Sequence, residues 1–202
     1  MDETTSKPGA LAGNKLALTV PALTAAAAGL VLFDAISLLS GGSFVPGGPA
    51  DEAAHLLTTL IVIWALGPTA SRRFMAPALI ASVAIDIDYV PGRLGVDWLT
   101  NGTPRPYAHS LLTIVAALAA AALWRSRRDL LIGVGLGLAI HFWRDLAEPG
   151  SGVALLWPFS DRAFSMAHTV YAGTLIGLVA IDAYRARGSG RLSRRAPVAD
   201  SG

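Results

Sequence analysis

The sequence predicts an all-α, polytopic membrane protein of about six transmembrane helices, with both termini on the cytoplasmic side. Three observations carry that prediction. The chain of 202 residues is 53% hydrophobic and only 15% charged, whereas soluble domains carry about 25% charged residues. Its apolar residues fall into six runs near the roughly 20 residues a spanning helix needs. Its basic residues collect in alternate loops between those runs, as a fixed orientation in a membrane requires.

In chain order the six runs are Lys15–Ser40, Glu52–Thr69, Phe74–Val90, His109–Trp124, Leu130–Leu146 and Phe164–Tyr184. The first has too long an apolar stretch and too acidic a flank (Asp2, Glu3) for a signal peptide, so it reads as an uncleaved anchor. Lys7 and Lys15 precede the first run, and Arg72 and Arg73 follow the second. Arg125, Arg127 and Arg128 follow the fourth, and Arg185, Arg187, Arg191, Arg194 and Arg195 follow the sixth. These loops hold twelve of the sixteen basic residues; the opposite loops hold only Arg93, Arg105 and Arg162, and Arg144 lies inside a run. The orientation is therefore N-in and C-in, in the cytoplasmic membrane of a bacterium. The bacterial assignment follows from the abundance of Ala and Gly and from Arg supplying fourteen of the sixteen basic residues, the signature of a GC-rich genome.

The domain reading is simple. Residues 1–14 form a disordered cytoplasmic tail, residues 15–184 a single helical membrane domain, and residues 185–202 a basic disordered tail. That last segment, RARGSGRLSRRAPVADSG, suits anionic membrane lipid. It lacks the interleaved aromatics and folded basic module of a nucleic-acid arm, so lipids are the expected partner and nucleic acid is not. The chain has no cysteine, which excludes disulfides and thiolate metal sites.

The run LLIGVGLGLAI leads directly into HFWRD, placing His141, Arg144 and Asp145 where lipid-facing residues are expected. A charge at mid-bilayer costs about 2.5–3.5 kcal/mol even on lenient insertion scales. The predicted topology resolves the conflict by depth. His55 lies one turn into the second span, Asp86 and Asp88 close the third, and His109 opens the fourth. His141 and Asp145 end the fifth, and His168 begins the sixth. All four histidines and three of the carboxylates therefore share the outer layer, with Asp34 of the first span near them. His141 and Asp145, four residues apart, occupy one helix face. Asp86 and Asp88, two apart, converge only if the backbone unwinds before VPG. Imidazoles with carboxylates and no thiolate favour zinc, then manganese, iron or nickel. Arg144, about 100° around the helix from Asp145, is either a brace or a snorkelling interfacial residue, and beside a metal its guanidinium would suit an anionic phosphate.

These residues in this order resemble the YdjM-like family of membrane-bound, metal-dependent hydrolases, which looks related to the zinc-dependent phospholipase C and nuclease superfamily. The resemblance covers about Asp51 to Phe159. It rests on an early helix histidine (His55), a DxD at a helix end (Asp86, Asp88), an HS pair (His109, Ser110), HxxxD (His141, Asp145), and a GVxLLWPF-like segment from Gly152 to Phe159. The sequence departs from the family's frequent PDIDH at Ile85 and Tyr89, and from HRGxTHS at Pro104. The resemblance implies a hydrolase; the residues themselves mark His55, Asp86, Asp88, His109, His141 and Asp145 as candidate metal ligands, with His168 an additional candidate by its position alone. Asp88 or Asp86 would serve as ligand or general base, and Arg144 would act in the catalytic site. Metal-activated water would attack a phosphodiester or ester, and Trp157 and Phe159 in the interface point to a lipid. Two other readings are an ion or proton transporter and a non-catalytic membrane protein with a degenerate metal site. A transporter predicts polar residues through the whole depth of the bundle; here they concentrate in one layer.

Overall fold

The structure is a computed structural model that describes residues 18–41, 43, 45–67, 71–99, 103, 105–150 and 152–193, without the side chains of Arg93 and of 188–193. Lys7, Lys15, Pro104 and residues 194–202 lie outside the described residues. The described chain is helical, with no β-strand beyond one isolated bridge between Val153 and Phe164.

Helix α1 (Val20–Leu39) starts at Thr19, whose hydroxyl accepts from the Ala22 amide, satisfying one of the orphan donors of the first turn. Helix α2 (Gly47–Leu66) follows a tight connection and begins before the predicted Glu52. Helix α3 (Arg72–Ala84) passes into a 3₁₀ turn (Ile85–Asp88) and then into the short α4 (Tyr89–Arg93). Helix α5 (Leu111–Leu123) is followed by α6 (Arg128–Asp145) after a single 3₁₀ turn. Helix α7 (His168–Ser193) starts later than Phe164, because both backbone groups of Phe164 pair with Val153. It continues past Tyr184, where the predicted span ends, to Ser193.

Helix α6 is the axis of the bundle. Its glycines let it lie directly on α3: a Cβ at Gly133 would sit 2.3 Å from the Phe74 carbonyl oxygen, and one at Gly137 would sit 2.2 Å from that of Ala78. Both helices advance by four residues between these contacts, so they run in the same direction in constant register. On the other side Leu23, Ala26, Leu30, Ile61, Trp64 and Tyr171 form a core shared by α1, α2 and α7. The outward faces stay apolar, with Val31, Ile80, Val115 and Ile176 each more than half exposed. By length and hydropathy, two helical stretches could each cross a bilayer unaided, Val20–Leu39 and the continuous Arg72–Gly92.

Candidate metal centre

The parallel packing of α3 and α6 delivers the first ligand. One turn beyond Gly137, His141 reaches α3 again, and its Nδ1 lies 2.7 Å from the backbone oxygen of Ser82. A carbonyl accepts only, so Nδ1 carries the proton and Nε2 keeps its lone pair for an ion. Metal-ligating histidines are commonly fixed by such an outer bond. On the same face Asp145 Oδ2 lies 3.2 Å from that Nε2, and both side chains are wholly buried.

The 3₁₀ turn brings in the DxD pair. Two residues apart on an α-helix diverge by about 160°, but on a 3₁₀-helix by about 120°. The chain tightens here where the sequence predicted unwinding, and the two aspartates straddle the His109 ring. Asp86 Oδ1 is 2.9 Å from His109 Nε2, and Asp88 Oδ2 is 3.2 Å from His109 Nδ1. Asp86 Oδ1 also lies 3.3 Å from His141 Nε2, and the two histidine Nε2 atoms are 3.3 Å apart. His109 is held in the turn before α5, where the Leu111 amide donates to the carbonyl of Leu155. His55 of α2 completes the cluster, stacked on His141 at 3.8 Å between ring centroids, with Nε2 3.3 Å from Asp145 Oδ1.

These separations suit an ion. Two ligands at zinc–nitrogen distances of about 2.0–2.1 Å in a tetrahedron are about 3.3 Å apart. Among the described residues, three groups of side chains offer ligand atoms within 4.8 Å of one another: His55, His141 and Asp145; Asp86, His109 and His141; and Asp51, His55 and Glu148. Because Nδ1 of His141 is committed to Ser82, the two groups containing His141 must share its single Nε2. At the buried atoms His55 Nε2, both oxygens of Asp145 and both oxygens of Asp88 the contacts are charge pairs rather than well-directed hydrogen bonds, a state that an ion and its water would relieve.

Charge argues the same way. Seven carboxylates (Asp34, Asp51, Glu52, Asp86, Asp88, Asp145, Glu148) gather at this end around two guanidinium groups, Arg105 and Arg144. Arg144 Nη2 binds Asp34 and Asp51, each at 2.8 Å, and its Nη1 binds Glu148 at 2.9 Å. These are the contacts of a brace. Arg105 is the guanidinium that touches a candidate ligand, with Nη1 3.1 Å from Asp145 Oδ2 and Nη2 2.7 Å from Glu148 Oε2. Burial opposes its charge, but Asp145 and Glu148 hold Arg105 protonated even beyond its usual range. Burial likewise works against Glu148, yet Arg144 and Arg105 keep its carboxyl below the ordinary range.

The structure therefore brings together five of the predicted ligands, His55, Asp86, His109, His141 and Asp145, and sets Asp88 against the far edge of His109. His168 stands apart: its Nδ1 is 3.3 Å from the Ala147 carbonyl oxygen, and it lines a separate cavity with Asp34, Asp51 and Glu148. Sequence reasoning passed over Asp51, Glu148 and Arg105. Two of them carried a signal: Asp51 is four residues before His55, and Glu148 four after Arg144. Arg105 sits in a loop with no periodicity to reveal it. Trp157 stacks on Tyr107 at 4.3 Å, while Phe159 is 91% exposed.

A helical bundle with a buried His–Asp cluster at one end defines a membrane-protein class with a candidate metal centre. The family model of the YdjM inner membrane protein matches residues 51–198, and the chain belongs to that family. No curated protein and no solved structure matches the chain.

Proposed function

We propose that the protein is a multi-pass, metal-dependent hydrolase of the bacterial inner membrane, with its site at the outer face and a lipid phosphodiester or ester as substrate. The observation that carries this is the convergence of His55, His109 and His141 with Asp86 and Asp145 at one end of the bundle, in groups whose candidate ligand atoms lie within 4.8 Å of one another. Six crossings are supported by the alternating basic loops and by the apolar outward faces of α1, α3, α5 and α7, since soluble monomers rarely expose contiguous apolar patches of large size.

A divalent cation, zinc first, would polarise a phosphoryl or acyl oxygen and lower the pKa of water to near neutrality. The chain supplies the rest. His55, Asp86, His109, His141 and Asp145 would hold the ion, and Ser82 fixes the tautomer of His141. Asp88, half-buried beside His109 Nδ1 at 3.2 Å, would serve as the base that takes the proton from the attacking water. Arg105 faces the same centre and offers a donor to an anionic phosphate. Arg144 positions Asp51 and Glu148.

The test is metal analysis of detergent-purified protein, followed by hydrolysis of phosphodiester and carboxylester lipids, beside Asp88→Asn and His141→Ala. Stoichiometric metal with hydrolysis that both variants abolish is the expected result. Metal without hydrolysis would favour a non-catalytic protein with a residual site. No metal after reconstitution would overturn the proposal and redirect the search to proton or ion flux.

A further inference from the structure

The His–Asp cluster has a closed floor and a partly open rim. The side chains of His55, His109, His141 and Asp145 are buried, whereas those of Asp86, Asp88 and Arg105 are 15%, 13% and 15% exposed. A molecule reaching the centre from outside meets the rim first.

Tyr89, half-buried, belongs to that rim. It follows Asp88 directly, and its amide donates to the carbonyls of Asp86 and Ile87, which fixes it to the end of the 3₁₀ turn. Its ring meets the His109 ring edge-on, with 5.3 Å between centroids and 67° between planes. Its hydroxyl lies 3.2 Å from Arg105 Nη1, and the same nitrogen is 3.1 Å from Asp145 Oδ2. One guanidinium nitrogen thus joins the phenol to the floor of the centre.

The direction of that bond decides what the phenol can do. A guanidinium donates only, so the phenol oxygen accepts and its own proton is left to give. Among the described residues no acceptor takes that proton. Arg105 is held in place, with Nη2 on Glu148 at 2.7 Å and its carbonyl accepting from the Thr103 hydroxyl at 2.7 Å. The Tyr89 O–H is therefore a pre-set donor beside the candidate ligands.

We propose that Tyr89 is a substrate-binding residue that donates a hydrogen bond to a non-bridging oxygen of a phosphodiester, and that with Arg105 it selects this linkage over a carboxylic ester. The inference rests on the hydrolase reading and narrows its substrate to one of two linkages. A phosphodiester has two non-bridging oxygens that share a negative charge. One can lie toward the candidate ligands while the other faces Tyr89 and Arg105, and hydrogen bonds to such an oxygen are charge-assisted. A carboxylic ester has a single carbonyl oxygen and no charge. With that oxygen turned to the candidate ligands, the Tyr89 proton and the Arg105 charge stay without a partner, and a site whose polar groups are left unpaired rejects the ligand.

The experiment compares the full-length wild type with Tyr89→Phe, both in detergent and supplied with zinc. Phenylalanine keeps the ring against His109 and removes the hydroxyl alone. Binding of dibutyl phosphate, read by isothermal titration calorimetry, should weaken about tenfold, the effect of losing one hydrogen bond to a charged group. The kcat/KM for bis(para-nitrophenyl) phosphate should fall by a similar factor, and that for para-nitrophenyl butyrate by less than about twofold. Metal content should match the wild type. Unchanged binding of dibutyl phosphate, or no binding by the wild type, would overturn the donor. Equal losses on both substrates, or loss of metal, would make Tyr89 a structural support and overturn it as well. A wild type that prefers para-nitrophenyl butyrate would overturn the selection and leave the hydrolase reading intact. Dibutyl phosphate binding that Tyr89→Phe weakens, without hydrolysis of either substrate, would leave this inference standing and sink the hydrolase reading alone. Phosphatidylglycerol and a dinucleoside monophosphate, assayed alongside, carry the same linkage in a lipid and in a nucleotide. The lipid is the expected substrate, and hydrolysis of the dinucleotide alone would overturn the lipid source while supporting the linkage.

Discussion

His141 gives its Nδ1–H to the backbone carbonyl of Ser82 across 2.7 Å, and this bond is the last of three matched contacts between α6 and α3. Gly133 meets Phe74, Gly137 meets Ala78, and His141 meets Ser82, each pair four residues beyond the one before. The glycines therefore do more than permit close packing. They set the depth at which the first ligand is presented and which of its nitrogens stays free.

Gly137→Ala tests that dependence. The new Cβ would sit 2.2 Å from the Ala78 carbonyl oxygen, so the helices must separate. Overpacking of this kind costs about 1–3 kcal/mol, and the shift should pull His141 away from Ser82. The expected outcome is a lower melting temperature in detergent together with weaker metal binding. Gly135→Ala is the comparison. Its Cβ meets side chains rather than backbone, Leu118 at 3.0 Å and Ala117 at 3.9 Å, and metal binding should survive. Loss of metal in both variants would show that glycine spacing does not position His141.

Removing ligands should divide the histidines into two sets. His109→Ala and His141→Ala each delete a donor from the Asp86 group, and Asp145→Ala deletes the carboxylate beside both His55 and His141. Metal content measured by elemental analysis should drop to near zero in all three. His168→Ala should retain metal, because the nearest partner of its Nδ1 is the Ala147 carbonyl rather than a ligand. Metal loss in His168→Ala would place that residue in the centre after all.

Arg105 competes with a cation for Asp145 and Glu148. Removing one partner of a buried pair typically costs about 3–5 kcal/mol, so metal-free Arg105→Ala should melt well below the metal-free wild type. Added zinc should then recover more of the loss than it gives the wild type, since an ion that binds only the folded state stabilises it by mass action. Thermal unfolding with and without zinc, in both proteins, measures the difference. An equal zinc shift in the two would show that Arg105 and the ion do not share these carboxylates.

Much of this centre was legible from composition and depth. Three of the four histidines that the sequence set at one depth, His55, His109 and His141, meet in this centre with Asp86 and Asp145, and that expectation needed only a count of basic loops; His168, placed at the same depth, stands apart. The HxxxD spacing placed His141 and Asp145 on one face for the same reason that any residues four apart share a face. What stayed hidden was lateral. Nothing in the sequence says that Asp51 and Glu148 turn toward His55, or that Arg144 spends its guanidinium on three carboxylates, because those are relationships between helices. The 3₁₀ turn that sets Asp86 and Asp88 on opposite edges of His109 was also beyond periodicity, which saw only that a regular helix would separate them. Gly133 and Gly137 were present in the string, but their partners on α3 appear only when the two helices are laid together.

The six-crossing topology can be decided by cysteine labelling, since the native chain has no cysteine and every introduced thiol is the sole target. Trp98 and Phe159 are exposed in the segments expected outside, at 66% and 91%, and Ser126 lies exposed in the turn between α5 and α6, expected inside. Trp98→Cys and Phe159→Cys should react with a membrane-impermeant maleimide on spheroplasts, and Ser126→Cys only after the membrane is opened. If only Val20–Leu39 and Arg72–Gly92 crossed, with the N-terminus inside, the chain would return to the cytoplasm after Gly92. Trp98, Ser126 and Phe159 would then all be protected together. Labelling of Phe159→Cys from outside would instead put the ends of α3 and α6 at the outer surface, with Asp86, His141 and Asp145 just beneath it. Protection of all three would remove the outer-face site and with it the case for a substrate drawn from the outer leaflet.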